Sequence, residues 1–172
     1  MNIAIIFAGG TGSRMHTTSR PKQFLEYQGK PIIIYTLELF DNHSMIDGIV
    51  VACVEAWIPF LEKMLKKFEI NKVMRIVSGG ETGQESIYKG IVAAKDISES
   101  SDDIVLIHDG VRPLITEQTI TDNIKMAVEV MFRSFPADIG TYQDIPYPAS
   151  SGVGIILRLC RCRNAIGRGW IA

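Results

Sequence analysis

Apolar residues follow two rhythms up to about residue 130, and their alternation predicts the fold. Ile3-Ala4-Ile5-Ile6-Phe7 is an unbroken run, too short and too β-branched for a helix, and it predicts a buried first strand. Similar runs recur at Gly48 to Val54, Val73 to Val77 and Asp103 to Ile107. Between them the apolar positions return every three or four residues. Ile33, Leu37 and Phe40 mark one face of a helix that Pro31 can open and that ends near Asn42. Ile58, Leu61, Leu65 and Phe68 predict an amphipathic helix over about 57–68. Ile87, Ile91 and Ala94 face inward from a helix over about Glu85 to Asp96. Ile120, Ile124 and Val128 stripe a further helix, with Thr116 as its cap and Glu117 favourable in its first turn. Strands alternating with helices predict an α/β fold with a mostly parallel sheet covered on both faces.

Ligands of such sheets bind beyond the carboxyl ends of the strands. The loops after the first, third and fourth strands carry the chemistry and are expected to share one crevice. The first loop reads Ala8-Gly9-Gly10-Thr11-Gly12-Ser13-Arg14-Met15. Its glycines permit a tight turn whose backbone N–H groups can hold an anion. Lys22 follows in Arg20-Pro21-Lys22-Gln23-Phe24. Glycines with the two cations Arg14 and Lys22 suggest a triphosphate site; the alternative is a strand-to-helix turn with two solvated cations. Two familiar phosphate loops fail here. A P-loop needs Lys-Ser or Lys-Thr where this chain has Ser13-Arg14, and a dinucleotide fingerprint needs glycine where it has Met15.

The loop after the third strand is Ser78-Gly79-Gly80-Glu81-Thr82-Gly83, with Ser86 just beyond. The loop after the fourth is His108-Asp109-Gly110-Val111-Arg112-Pro113. Asp109, at a strand terminus, can ligate Mg²⁺, which takes few carboxylates and completes its shell with water and phosphate oxygens; it can equally cap the turn. Arg112 can grip a phosphate bidentately or pair within the protein. His108 reads as a packed, hydrogen-bonded strand-end residue rather than a general base. His16 and His43 show no partner pattern.

Composition narrows the classes. At 172 residues and 47% hydrophobic, the chain can bury the core of one globular domain. A net charge of −1 gives no reason to expect nucleic-acid or membrane-surface binding. Apolar runs are too short for a membrane span, and the start lacks a signal-peptide pattern. Cys53, Cys160 and Cys162 form neither a disulfide framework nor a zinc spacing, so a reducing cytoplasm is the expected compartment. Residues 1–130 hold nine Lys and four Arg, whereas 131–172 hold no Lys and five Arg, which suggests a core followed by an atypical C-terminal segment. Leu157 to Arg163 shows no clear period, and a truncated, shifted or irregular tail is expected there.

The ordered motifs Ala8 to Met15, Pro21-Lys22-Gln23-Phe24-Leu25, Gly79-Gly80 with Ser86, and His108 to Pro113 resemble the cytidylyltransferases that make CDP-methylerythritol or CDP-ribitol. The resemblance covers about residues 1–130. It implies a three-layer nucleotidyltransferase fold and transfer of a cytidylyl group from CTP to a sugar-alcohol phosphate, releasing pyrophosphate. By resemblance, the backbone at Ala8, Gly9, Gly10 and Gly12 surrounds the nucleotide, and Arg14 and Lys22 neutralise triphosphate and transition-state charge. Gly80 and Ser86 contact the cytidine end, Asp109 holds Mg²⁺ and Arg112 binds the acceptor phosphate. Glycine at position 83 departs from the arginine common in the family. Asp109-Gly110-Val111-Arg112 looks closer to the ribitol phosphate branch than to the methylerythritol branch, where Ala-Ala commonly fills the middle positions. The family also implies a homodimer through an inserted arm and late acidic and basic contacts, for which no counterpart is evident after about residue 130. A weakened dimer, or a CTP-binding module without turnover, is the alternative expectation.

Overall fold

A computed structural model describes residues 1–9, 20–100, 102–134 and 153–158. The strands are β1 (Asn2–Ala8), β2 (Glu26–Tyr27), β3 (Lys30–Pro31), β4 (Gly48–Cys53), β5 (Val73–Ser78), β6 (Ile104–Asp109) and β7 (Val153–Arg158). The helices are α1 (Ile32–Asp41), α2 (Ile58–Lys67), α3 (Gly83–Ile97) and α4 (Glu117–Ser134). The main sheet runs in the order β5-β4-β1-β6-β7. Its first four strands are parallel, and β7 pairs antiparallel to β6.

Alternation along β1 builds two cores, because successive side chains leave a strand on opposite faces. Ala4, Ile6 and Ala8 join α1, α2 and α4 on one face, through Ile33, Leu37, Phe40, Leu61, Ile120 and Ile124. Ile3 and Ile5 meet Ala93 and Ala94 of α3 on the other. The inner parallel strands β1, β4 and β6 are buried on both sides, which is why they read as continuous apolar runs, whereas the edge strand β5 is partly exposed.

Register places the strand ends together. Ala8 pairs with Cys53, Cys53 with Ser78, and Phe7 with Asp109. Chain order steps from β1 outward to β4 and β5, then returns to β6 on β1's other side, so the topological switch point, where sheets of this kind bind ligands, lies between β1 and β6.

Several sequence expectations shift. The helix expected from Glu85 begins at Gly83, because the Thr82 hydroxyl accepts the Glu85 N–H and caps it two residues earlier. On α4 the inward stripe is Ile120, Ile124 and Ala127; Val128 is exposed. Pro31 precedes α1 as its cap residue rather than occupying its first turn, since it also pairs in β3. The hairpin β2–β3 was not expected. Gln28 and Gly29 form its tip with φ of 51° and 77°, the positive values that tight hairpin turns use. Leu157 and Arg158, expected to be irregular, belong to β7; the remainder of that run, Leu159 to Arg163, lies outside the described residues.

Candidate functional site

The ends of β1, β5 and β6, from which the three expected loops leave, lie together at the carboxyl edge of the sheet. β1 ends at Ala8, whose carbonyl accepts a hydrogen bond from the buried Gln23 amide. That bond ties the Pro21-Lys22-Gln23-Phe24 segment to the strand end. Phe24 anchors the segment by stacking on Trp57 at 5.0 Å and meeting Phe60 edge-on at 5.4 Å. Full burial of such a ring contributes roughly 1.5–3 kcal/mol. Lys22 opens the short 3-10 turn carried by this anchor and makes no ion pair among the described residues. Arg20, by contrast, is occupied by Glu26 at 3.0 Å. Gly10, Gly12 and Arg14 lie outside the described residues.

Gly9 and Gly79 meet backbone to backbone. A β-carbon on Gly79 would stand 2.9 Å from the Gly9 Cα and 3.2 Å from the Ser86 hydroxyl oxygen. A β-carbon on Gly9 would collide with that same hydroxyl. Ser86 is buried, accepts the Gly80 N–H at 2.9 Å and donates to the Thr82 carbonyl at 3.0 Å. Its hydroxyl thus holds the turn after β5 against the turn after β1. Gly80 is glycine for a reason besides any ligand: a β-carbon there would run into the Glu85 side chain. Glu85 accepts the Glu81 N–H at 2.8 Å and pairs with Lys89 at 3.1 Å. The bond from Glu81 and the interaction with Lys89 hold this exposed carboxyl below its ordinary range. A side chain at Gly83 would point into open space.

The third loop is bound to the core from several sides. Gly110 N–H donates to the Phe7 carbonyl at 3.0 Å, and Thr36 on α1 donates to the Gly110 carbonyl at 3.0 Å. Asp109 accepts the Val111 N–H at 3.1 Å, and its other oxygen faces the Arg112 Nε at 3.4 Å. Asp109 thus caps its own turn, and Arg112 pairs internally while staying largely exposed. The strand continues through His108, which is fully buried, lies against the Phe40 ring at 5.2 Å and bonds the Arg112 carbonyl at 3.0 Å. Burial above all pushes its pKa down, which favours the neutral ring. The packed reading of His108 is the one observed.

For Mg²⁺ the donor set here is sparse but suitable. Among the described residues no three His, Cys, Asp or Glu side chains gather into a metal cluster. The Asp109 carboxylate keeps lone pairs beyond those used by Val111 and Arg112, and Mg²⁺ is commonly held by one or two carboxylates with water and substrate phosphates completing its shell.

His43, given no role from sequence, is a buried clamp. Its Nδ1 accepts the Met45 N–H at 3.2 Å, and its Nε2 reaches the Glu117 carbonyl and the Thr121 hydroxyl at 3.1 Å each. It joins the end of α1 to the start of α4. Sequence reasoning also passed over Thr36, whose only signal was a polar residue on the apolar face of α1.

The fold is of the nucleotidyltransferase class. It is shared with a crystal structure of 4-diphosphocytidyl-2C-methyl-D-erythritol synthase from Anaerococcus prevotii, at TM-score 0.58 and 27% identity over 73% of this chain and 49% of that one. Residues 2–136 match the family described as IspD, 2-C-methyl-D-erythritol 4-phosphate cytidylyltransferase, and the chain belongs to that family. It is 52% identical over 129 residues to a ribitol-5-phosphate cytidylyltransferase of Streptococcus agalactiae, covering 75% of this chain and 54% of the relative. It is 45% identical over 127 residues to a 2-C-methyl-D-erythritol 4-phosphate cytidylyltransferase of Clostridium novyi, covering 73% of this chain and 52% of the relative. The chain thus spans about half the length of these curated relatives. No helix among the described residues is long and apolar enough to cross a membrane.

Proposed function

We propose that the chain carries the site for transfer of a cytidylyl group from CTP to a sugar-alcohol phosphate, with ribitol 5-phosphate preferred over methylerythritol phosphate. The observation that carries this reading is the convergence of Gly9, the Gly79–Ser86 turn and the Asp109–Arg112 loop at one edge of the sheet, in a member of a cytidylyltransferase family. In the proposed reaction an acceptor phosphate oxygen attacks the α-phosphorus of CTP. The bond from that phosphorus to the bridging oxygen breaks, and pyrophosphate leaves. The acceptor is already anionic, so positioning and charge neutralisation are the protein's tasks.

In this reading the backbone at Ala8, Gly9, Gly10 and Gly12 surrounds the nucleotide, with Gly80 and Ser86 at its cytidine end. Arg14 and Lys22 neutralise triphosphate charge, and Arg112 binds the acceptor phosphate after exchanging its contact with Asp109. Asp109 is the proposed Mg²⁺ ligand; the ion would offset negative charge on the phosphates. The ribitol preference is supported by Val111 and by the higher identity to the ribitol-5-phosphate relative. A homodimeric assembly and a cytoplasmic setting go with the same reading.

The test is pyrophosphate release with CTP, Mg²⁺ and each acceptor, beside calorimetry of CTP alone. Release that depends on ribitol 5-phosphate is expected. Binding of CTP without release would mark a nucleotide-binding module, and absence of CTP binding would overturn the assignment.

A further inference from the structure

The loop Asp109 to Pro113 leaves the sheet with its backbone almost fully committed. Gly110 gives its N–H to Phe7 and receives Thr36 on its carbonyl, so the peptide groups on either side of it are fixed. Arg112 gives its N–H to the Asp109 carbonyl at 3.1 Å and receives His108 on its own carbonyl. A carbonyl can only accept, so His108 donates from Nε2 and carries its proton there. Its Nδ1 is then a bare acceptor, buried and without a hydrogen-bond partner among the described residues. Burying an unpaired nitrogen is costly, which argues that the ring is kept for the bond on its other side. Thr36 makes a similar point. A hydroxyl on the apolar face of a helix usually bonds back to its own preceding turn, but this one reaches the loop across the core. Phe40, one turn further along α1, packs on the His108 ring.

We infer that Thr36 and His108 form a buried carbonyl clamp, two positioning residues that hold the Gly110 and Arg112 carbonyls inward and so keep the Asp109 and Arg112 side chains aimed at the crevice. This rests on the proposed acceptor and metal roles of those two side chains. Without these two bonds the segment from Asp109 to Pro113 is free to shift as a whole, which displaces both side chains even with the rest of the fold intact. Neither clamp residue touches substrate in this account. Both act through the backbone they hold.

Thr36→Val removes the hydroxyl at nearly constant volume, and Thr36→Ser restores it. In the whole chain, Thr36→Val is expected to speed amide hydrogen exchange at Val111 and Arg112 about tenfold, with amides of β1 and β4 unchanged. The apparent KM for ribitol 5-phosphate and the Mg²⁺ concentration needed for CTP binding should each rise by about tenfold, while CTP affinity at saturating Mg²⁺ stays within about twofold, and Thr36→Ser should return them toward the parent. Nitrogen NMR of the unmodified protein gives a check free of mutation: His108 should show the Nε2–H tautomer with a slowly exchanging ring proton. Unchanged exchange at Val111 and Arg112 in folded Thr36→Val, or an Nδ1–H tautomer, would overturn the clamp. A parent chain that releases no pyrophosphate would sink the functional reading alone, because exchange and tautomer still decide the clamp.

Discussion

Gly9 and Gly79 are in backbone contact, and the Ser86 hydroxyl fills the space where a Gly9 side chain would stand. Two loops far apart in sequence are thereby packed as one surface. Gly9→Ala must push that hydroxyl aside, and overpacking of this kind costs about 1–3 kcal/mol. Ser86→Ala leaves the Gly80 N–H without its acceptor, yet it also vacates the contested space. With the hydroxyl gone, the nearest neighbour of a new β-carbon at Gly9 becomes the Ser86 Cβ at 3.3 Å. The double variant is therefore expected to be more stable than the two single losses would sum to, by roughly 0.5–3 kcal/mol of coupling. Denaturant unfolding of the four proteins measures it; simple additivity would mean that the two loops do not constrain each other.

Lys22 sits on a turn fixed by the Phe24 cluster and the Gln23 bond, with no ion pair among the described residues. A cation on an anchored turn, with no ion pair among the described residues, suits charge that appears only in the transition state. Lys22→Ala is expected to lower turnover by about 10²-fold or more while changing CTP affinity much less. Steady-state kinetics beside calorimetry separates the two effects. A variant with near-parental turnover would leave Lys22 a solvated surface residue.

Much of this arrangement is legible from local pattern. β1 and β4 are buried on both faces, so their runs announce themselves, and the small-residue turns that follow mark the sheet edge where the loops meet. What escapes is set by distant partners. Nothing around His43 reveals that α4 will supply a carbonyl and a hydroxyl to its ring. Nothing around Thr36 reveals the Gly110 carbonyl. β7 owes its strand to the free edge of β6, a non-local pairing that its own sequence does not announce. Ala127 displaces Val128 from the α4 stripe because, from Ile120 and Ile124, either spacing is helical and only the packed neighbour decides. Nothing around Gly80 reveals that the Glu85 side chain leaves no room for a β-carbon there.

Asp103 makes stability depend on acid. Burial alone would raise its pKa, but the Met1 ammonium, the Ser98 hydroxyl and the Ser100 and Glu99 amides outweigh that and hold it at about 2, below the ordinary 3.8. The Met1 contact is 2.5 Å and the Ser98 contact 2.7 Å. A carboxyl depressed by folding contributes its stability above the unfolded pKa and loses it as pH falls through the folded value. The parent should therefore lose stability between about pH 4 and pH 2 more steeply than Asp103→Asn, which should be weaker at neutral pH and flatter in acid. Chemical unfolding across that range compares the two, and parallel curves would show that Asp103 is not linked to folding.

Asp109 caps its turn and is the proposed Mg²⁺ ligand, and one substitution can divide the two roles. Asn keeps the size and the oxygen that accepts the Val111 N–H, so the turn after β6 should survive Asp109→Asn. It removes the charge that a hard cation requires and loosens the 3.4 Å contact to Arg112. The Mg²⁺ concentration needed for CTP binding or turnover is expected to rise about tenfold or more, with thermal stability nearly unchanged. Arg112, relieved of its neighbour, should then respond less to Mg²⁺ in binding the acceptor phosphate. Titrating Mg²⁺ against the CTP complex of parent and variant decides between the duties. If the metal requirement does not move while the protein stays folded, Asp109 serves only to cap its turn, and the metal must be sought on other carboxylates.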